Sequence, residues 1–135
     1  MEIKIYNALL GVTTLGILLQ AVIAGVFMSI RTSHSHHTWV DVHNMVGWIT
    51  VAAGIITALI AVWGLRATSP VITGATAVLA IALVVEAVLG LEAGDASWTV
   101  AVHVPLAMII FGLVIWLSAQ GAHVRRAGPS GAAAA

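Results

Sequence analysis

The sequence predicts an all-α membrane protein, a four-transmembrane-helix bundle made of two pseudo-symmetric helix hairpins. First, 61% of the 135 residues are hydrophobic and only 7% are charged, a balance far from that of a soluble domain. Second, four apolar stretches each hold the roughly 20 residues that cross a hydrocarbon layer about 30 Å thick. Third, the two halves of the chain repeat a pattern of polar residues near their helix ends.

The four predicted spans cover residues 5–30, 41–65, 70–91 and 98–118. They form one bundle over residues 1–121. Residues 122–135, which end in AGPSGAAAA, have the low complexity of a disordered cytoplasmic tail. The first span is too long for a signal peptide and lacks a small-residue cleavage site, so we expect a retained helix.

Capping residues mark the predicted helix starts. Ser69 precedes Pro70, which suits the first helical position because proline lacks the N–H that would be unpaired there. The second and fourth spans each follow a hydroxyl residue and a tryptophan, in the pairs Thr38–Trp39 and Ser97–Trp98. Tryptophan suits the membrane interface, so both tryptophans are expected there.

The basic residues predict the orientation. Both termini and the central connection share one side, which collects four of the five bases: Lys4, Arg66, Arg125 and Arg126. Only Arg31 lies opposite, so the positive-inside rule places the termini in the cytoplasm of a bacterial or archaeal cell. Net charge is zero and no basic patch is present, which excludes nucleic acid as a partner.

A histidine follows each outward helix start. The second span opens TWVDVH and the fourth opens SWTVAVH, which places His43 and His103 about 8 to 9 Å along their helices. Upstream, QAVIAG and EAVLG put Gln20 and Glu86 at matching points of the first and third spans. We infer two parallel hairpins related by an approximate twofold axis along the membrane normal, with the extra residues of the first half in a loop, RTSHSHH.

Paired histidines across such an axis suit a haem. Bis-histidine ligation places a flat macrocycle between two imidazoles in a bundle core. A b-type haem needs no cysteine attachment, and the chain has no cysteine. Small residues begin at Gly47 on the same face, where a macrocycle or a neighbouring helix can approach. Structural polar contacts and a metal or proton relay remain alternatives.

Two further polar features have open interpretations. Glu86 lies inside an apolar span, where it can accept a hydrogen bond from a ligand imidazole, carry a proton, or bond Gln20 or a threonine. The outer loop holds His34, His36 and His37, a weak candidate metal site because a structural site shows four ligands at defined spacing. Pro105 is expected to kink the fourth helix or to mark its start.

These motifs resemble one four-helix half of haem A synthase and a family of small, uncharacterised four-span bacterial membrane proteins. The resemblance rests on HNMVGWITVAAGIITALIAVW and on EAVLG paired with HVPLAMIIFGLVIWL, and it covers most of residues 14 to 118. It implies that His43 and His103 match the paired haem-ligand histidines. This chain departs from the synthases because it has one half only, no external cysteine pair, and Val40, not an acid, a turn before His43.

Three functions follow from these features. The first is a cytochrome b-like electron transport protein that holds one haem b near the outer leaflet and exchanges electrons with a quinone or another membrane redox subunit, alone or as a homo-oligomer. The second is a haem-handling enzyme or carrier related to haem A synthase. The third is a cofactor-free accessory subunit. A bis-histidine iron has no open position for dioxygen, which favours an electron carrier over a stand-alone enzyme.

Overall fold

The fold consists of four long helices. A computed structural model describes residues 2–30, 32–94 and 97–131 of the chain. The helices are α1 (Glu2–Ser29), α2 (Ser33–Gly64), α3 (Pro70–Leu91) and α4 (Ser97–Gly131), and a 3-10 turn covers Glu92–Gly94. Each of the four is long and apolar enough to cross a membrane. The predicted all-α four-helix bundle is therefore confirmed, and the chain is an integral multi-pass membrane protein.

The helices pack as an up-and-down bundle. Each helix packs against the next along the chain, and α4 closes the bundle by packing against α1. It follows that α1 faces α3, and α2 faces α4, across the core. We call the end with both termini and the α2–α3 connection the terminal end. The opposite end, with the other two connections, is the histidine end.

The core is packed unevenly along the bundle axis. Ten side chains are almost completely buried: Tyr6, Leu10, Thr13, Thr57, Thr76, Leu79, Thr99, Ile110, Val114 and Leu117. Apart from Thr99, they lie in the middle of the bundle or toward the terminal end. There the Tyr6 hydroxyl and the Thr76 hydroxyl form a hydrogen bond of 2.9 Å that joins α1 to α3 across the core.

Close contact between α1 and α2 depends on glycine. Gly16 of α1 lies against the side chain of Thr50, and a Cβ atom at position 16 would overlap the Thr50 hydroxyl. Thr50 is held in place by a 2.8 Å hydrogen bond to the Val46 carbonyl. Gly54 in the same way admits Leu83 of α3. Small residues allow membrane helices to approach closely, and Gly16 and Gly54 have this packing use.

Helix α2 begins earlier than predicted. Residues expected in a polar loop, including His34, His36 and His37, lie in the first turns of the helix. Thr32, with extended backbone angles, is the N-cap, whereas Thr38 is inside the helix and donates to the His34 carbonyl. The prediction that Thr38 caps α2 is wrong, because no glycine or proline interrupts residues 33–46 and the helix extends past the apolar span.

Helix α4 is also longer than its apolar span. It begins at Ser97 and runs through Gly131, so residues 122–131 are helical where a disordered tail was expected, and residues 132–135 lie outside the described part. The alanine and arginine residues of 122–127 favour this extension, whereas nothing in the structure explains why the helix continues through Gly128 and Pro129. Pro105 lies inside α4 and does not start it. The predicted start of α3, Ser69 followed by Pro70, is confirmed.

Candidate functional site

Four polar side chains, one from each helix, gather near the histidine end. They are Gln20 of α1, His43 of α2, Glu86 of α3 and His103 of α4, and all four are partly buried. Gln20 contacts the backbone of His43, and Glu86 contacts the ring of His103. His43 and His103 lie on α2 and α4, which face each other across the core. We call these four residues the polar cluster.

The ring of His103 has a defined partner. Its Nδ1 atom lies 3.1 Å from the backbone carbonyl oxygen of Glu86. A carbonyl oxygen can only accept a hydrogen bond, so Nδ1 carries the proton. In the neutral imidazole, Nε2 then keeps its lone pair and is free to bind a metal. The same carbonyl fixes the orientation of the ring, as partners of metal-binding histidines commonly do.

The carboxyl group of Glu86 also approaches this ring. Its Oε1 atom is 3.1 Å from His103 Nδ1, the same distance as the carbonyl oxygen. The Nδ1 proton is directed to the carbonyl, and both carboxyl oxygens are buried without a hydrogen-bond partner among the described residues. The bond from Glu86 to Gln20 or a threonine, one of the sequence-based alternatives, is not formed there. Glu86 therefore brings an unsatisfied acid next to an imidazole.

Glycine makes room for the His103 ring. A Cβ atom at Gly90, one turn beyond Glu86, would stand 3.1 Å from His103 Cε1. Contacts at 3.0–3.4 Å are tighter than packed side chains normally adopt. Gly90 was not among the predicted site residues, although its place in EAVLG, four residues after the acid, was available as a signal.

The His43 side of the cluster is arranged differently. Gln20 donates from Nε2 to the backbone carbonyl of His43 at 2.8 Å, and Gly47 leaves the space that this amide occupies. Gly47 thus packs against α1, so its small size here admits a neighbouring helix. The ring atom His43 Nδ1 and the amide atom Gln20 Oε1 are both buried, and neither has a hydrogen-bond partner in residues 2–30, 32–94 and 97–131.

No family model, curated protein or solved structure matches this chain. The resemblance to haem A synthase therefore stays a prediction from short motifs. The function of the polar cluster has to be inferred from its own geometry.

An aromatic layer lies above His43. The edge-on rings of Phe27 and His43 are 5.4 Å apart, and Phe27 meets His36 in the same way at 5.7 Å. His36 is seven residues before His43, so both lie on one face of α2. His37 contacts His36 at 5.9 Å. Phe27 was missed by the sequence analysis, since an aromatic residue near a span end is common.

The predicted outer metal site is not tested by these contacts. The described residues hold no group of three or more histidine, cysteine, aspartate or glutamate side chains placed to bind a metal ion. Because they are helical, His34 and His37 lie one turn apart on α2, while His36 turns toward Phe27. Metal binding by His34, His36 and His37 stays a prediction.

Proposed function

We propose that this protein binds one haem b between His43 and His103 and uses it for electron transfer. The observation that carries the proposal is the hydrogen bond from His103 Nδ1 to the Glu86 carbonyl. It leaves the Nε2 lone pair of a partly buried imidazole available, on the helix diagonally opposite the one that carries His43. Two imidazoles on facing helices of a bundle are the ligand set of a bis-histidine haem.

The unsatisfied atoms of the polar cluster fit a bound group. Buried polar atoms without partners are costly inside a membrane, yet Gln20, His43 and Glu86 each have at least one within the described part of the chain. The large, fully buried side chains are concentrated away from this end. A haem brings a cation for the imidazoles and supplies one-electron chemistry when bound.

Each residue of the site then has a distinct role. His43 and His103 supply the two nitrogen ligands, and the Glu86 carbonyl holds the His103 ring in its tautomer and orientation. Gly90 leaves space for that ring. Gln20 fixes the backbone of α2 at His43. Two histidines holding the haem iron would leave it no open position for dioxygen, which supports electron transfer over haem oxidation.

The proposal includes a membrane orientation. The basic residues in the described part of the chain lie at the terminal end. They are Lys4, Arg66, Arg125 and Arg126. The positive-inside rule puts this end in the cytoplasm of a bacterial or archaeal cell. The haem then lies near the outer leaflet, within reach of a quinone or of another membrane redox subunit.

A cofactor-free accessory subunit is the second candidate. It is favoured by the fact that polar contacts join different helices: Gln20 with His43, Glu86 with His103, and Tyr6 with Thr76. Hydrogen bonds of this kind hold membrane helices together and need no cofactor. In this function the histidines only fix helix positions.

A reduced-minus-oxidised visible spectrum of the detergent-purified protein, after haem is supplied, tests the proposal. We expect the sharp bands of a low-spin b-type haem in the wild type, and their loss in His43→Ala and in His103→Ala. His123→Ala is the matched control, because His123 is exposed on α4 toward the terminal end. A colourless wild type would favour the accessory subunit, whereas bands that survive both substitutions would mean that residues other than His43 and His103 bind the haem.

A further inference from the structure

We propose that α1 and α2 form a binding site for an isoprenoid hydroquinone, with its chain in a lipid-facing groove and its ring at Gln20 and His43. The hydroquinone would be the redox partner of the proposed haem protein, so its role in electron transfer rests on the proposed function. The binding itself needs only the groove and the two polar residues.

The groove lies between α1 and α2 at the middle of the membrane. Its volume is about 260 Å³. The lining includes Leu15, Gly16 and Leu19 of α1, and Val46, Ile49 and Ala53 of α2. Leu15 and Ile49 are 67% and 58% exposed, so the groove opens toward lipid. An unbranched or isoprenoid hydrocarbon chain is the kind of ligand that such an apolar, lipid-facing surface accepts.

Two residues of the polar cluster, Gln20 and His43, lie just beyond the groove toward the histidine end. Gln20 follows Gly16 by four residues on α1, and His43 precedes Val46 by three on α2. Residues three or four apart are neighbours on one helix face, so both helices present a polar residue one turn beyond the groove. The bond from Gln20 Nε2 to the His43 carbonyl brings the two residues together at that point.

The buried polar atoms without partners at this point favour a head group that can donate a hydrogen bond. Gln20 Nε2 donates one of its two N–H groups to the His43 carbonyl, whereas Oε1 is buried, lacks a partner among the described residues and can only accept. The ester and phosphate oxygens of an ionised phospholipid also only accept, so they leave Oε1 unsatisfied. A hydroquinone hydroxyl donates to it. His43 Nδ1, also buried, can pair with the same head group.

The aromatic layer closes the site on the other side. Phe27 is seven residues beyond Gln20 on α1 and packs edge-on against His43 at 5.4 Å. A flat ring between Phe27 and the groove would contact apolar surface on both sides, with polar atoms at its rim. This combination of an apolar slot and a few polar groups is typical of sites for aromatic ligands.

Binding of ubihydroquinone with two isoprene units to the full chain in lipid nanodiscs tests the inference. Bound quinol is separated under anaerobic conditions and measured against empty nanodiscs. We expect saturable binding that falls about tenfold or more in Ala53→Met, which fills the groove, and in Gln20→Leu, which removes the acceptor. Ala52→Met is the matched control, because Ala52 is exposed and outside the groove lining, and we expect wild-type affinity.

Three results would overturn the site. They are binding no greater than in empty nanodiscs, equal binding by all four proteins, and displacement of the quinol by a phospholipid with chains of the same length. Because Ala53→Met leaves Gln20 and His43 in place, it keeps the test valid if Gln20→Leu does not fold. The haem spectrum of each sample is recorded separately, so loss of quinol binding with intact haem bands refutes only the quinol site. A wild type that binds the quinol but stays free of haem after haem is supplied refutes only the haem.

Discussion

Two oxygen atoms of Glu86, one in the backbone and one in the side chain, lie at equal distances from His103 Nδ1. A substitution can remove only the side-chain oxygen. The carbonyl oxygen of Glu86 belongs to the backbone and persists in every variant, whereas the carboxyl oxygen does not. We therefore expect Glu86→Gln to retain the low-spin haem spectrum, with haem affinity reduced by much less than the tenfold to hundredfold that loss of a ligand's orienting partner costs. Haem titration of the purified variant measures this.

Gly90→Leu is the companion variant on the same helix. It leaves the carbonyl of residue 86 in place but puts a side chain where the His103 ring lies, and we expect it to abolish haem binding. If Glu86→Gln loses haem as completely as His103→Ala does, the carboxyl group and not the carbonyl is the acceptor that orients the ring.

The hydrogen bond between Tyr6 and Thr76 is a residue-scale contribution to stability. Its two hydroxyl groups are fully buried and 2.9 Å apart. Hydrogen bonds between membrane helices contribute about 0.6 kcal/mol on average and at most about 1.7. Tyr6→Phe should lower the free energy of unfolding by about this amount, measured by denaturation in mixed micelles.

The double variant separates the free energy of the hydrogen bond from the effect of losing each hydroxyl group alone. Tyr6→Phe combined with Thr76→Val should cost less than the sum of the two single variants, since both remove the same interaction. Thr14→Val is the control, because Thr14 bonds the Leu10 carbonyl of its own helix. Strict additivity in the cycle would show that the two hydroxyls do not interact.

At the scale of elements, the α1–α2 pair depends on the absence of a side chain at Gly16. A methyl group there would meet the Thr50 side chain, which is short and tied to the Val46 carbonyl. We expect Gly16→Ala to lower the free energy of unfolding by about 1–3 kcal/mol, as overpacking of a core does. Thermal or denaturant unfolding of the purified protein measures it.

The same helix provides the control for that variant. Gly11 and Gly25 have open space where a Cβ atom would lie. Gly11→Ala and Gly25→Ala should leave stability unchanged or raise it slightly, because alanine is the better helix former. Equal destabilisation at positions 11 and 16 would mean that glycine is needed in α1 for a reason other than contact with Thr50.

The elements were predictable from the sequence to different degrees. Hydrophobic length determined the number of helices, because a membrane requires about 20 apolar residues for each span. It could not determine where α2 begins or where α4 ends, since apolar length marks only the part of a helix inside the bilayer, and α4 stays helical even through Gly128 and Pro129. The SHSHH segment and the residues after 121 therefore continued as helix where a loop and a tail were expected.

For the whole molecule, the sequence predicted the depth of the polar residues better than their contacts, and the approach of His43 to His103 stays a prediction. Gln20, His43, Glu86 and His103 come together at one end because adjacent antiparallel helices bring matching depths into contact. Their bonding could not be deduced, because it depends on rotamers: Gln20 bonds a backbone carbonyl, and His103 bonds the backbone of Glu86. The predicted twofold relation between the hairpins stays a prediction.

The orientation of the whole bundle can be tested directly because the chain has no cysteine. Single cysteines at the exposed positions Thr32 and His37 mark the histidine end, and those at Ala67 and His123 mark the terminal end. Four of the five basic residues lie at the terminal end, so an orientation with this end outside the cell would violate the positive-inside rule. A membrane-impermeant maleimide added to intact cells should therefore label the first pair, and label the second pair only after lysis. The reverse pattern would place the polar cluster near the cytoplasm, where a proposed haem exchanges electrons with soluble partners instead of outer-leaflet ones.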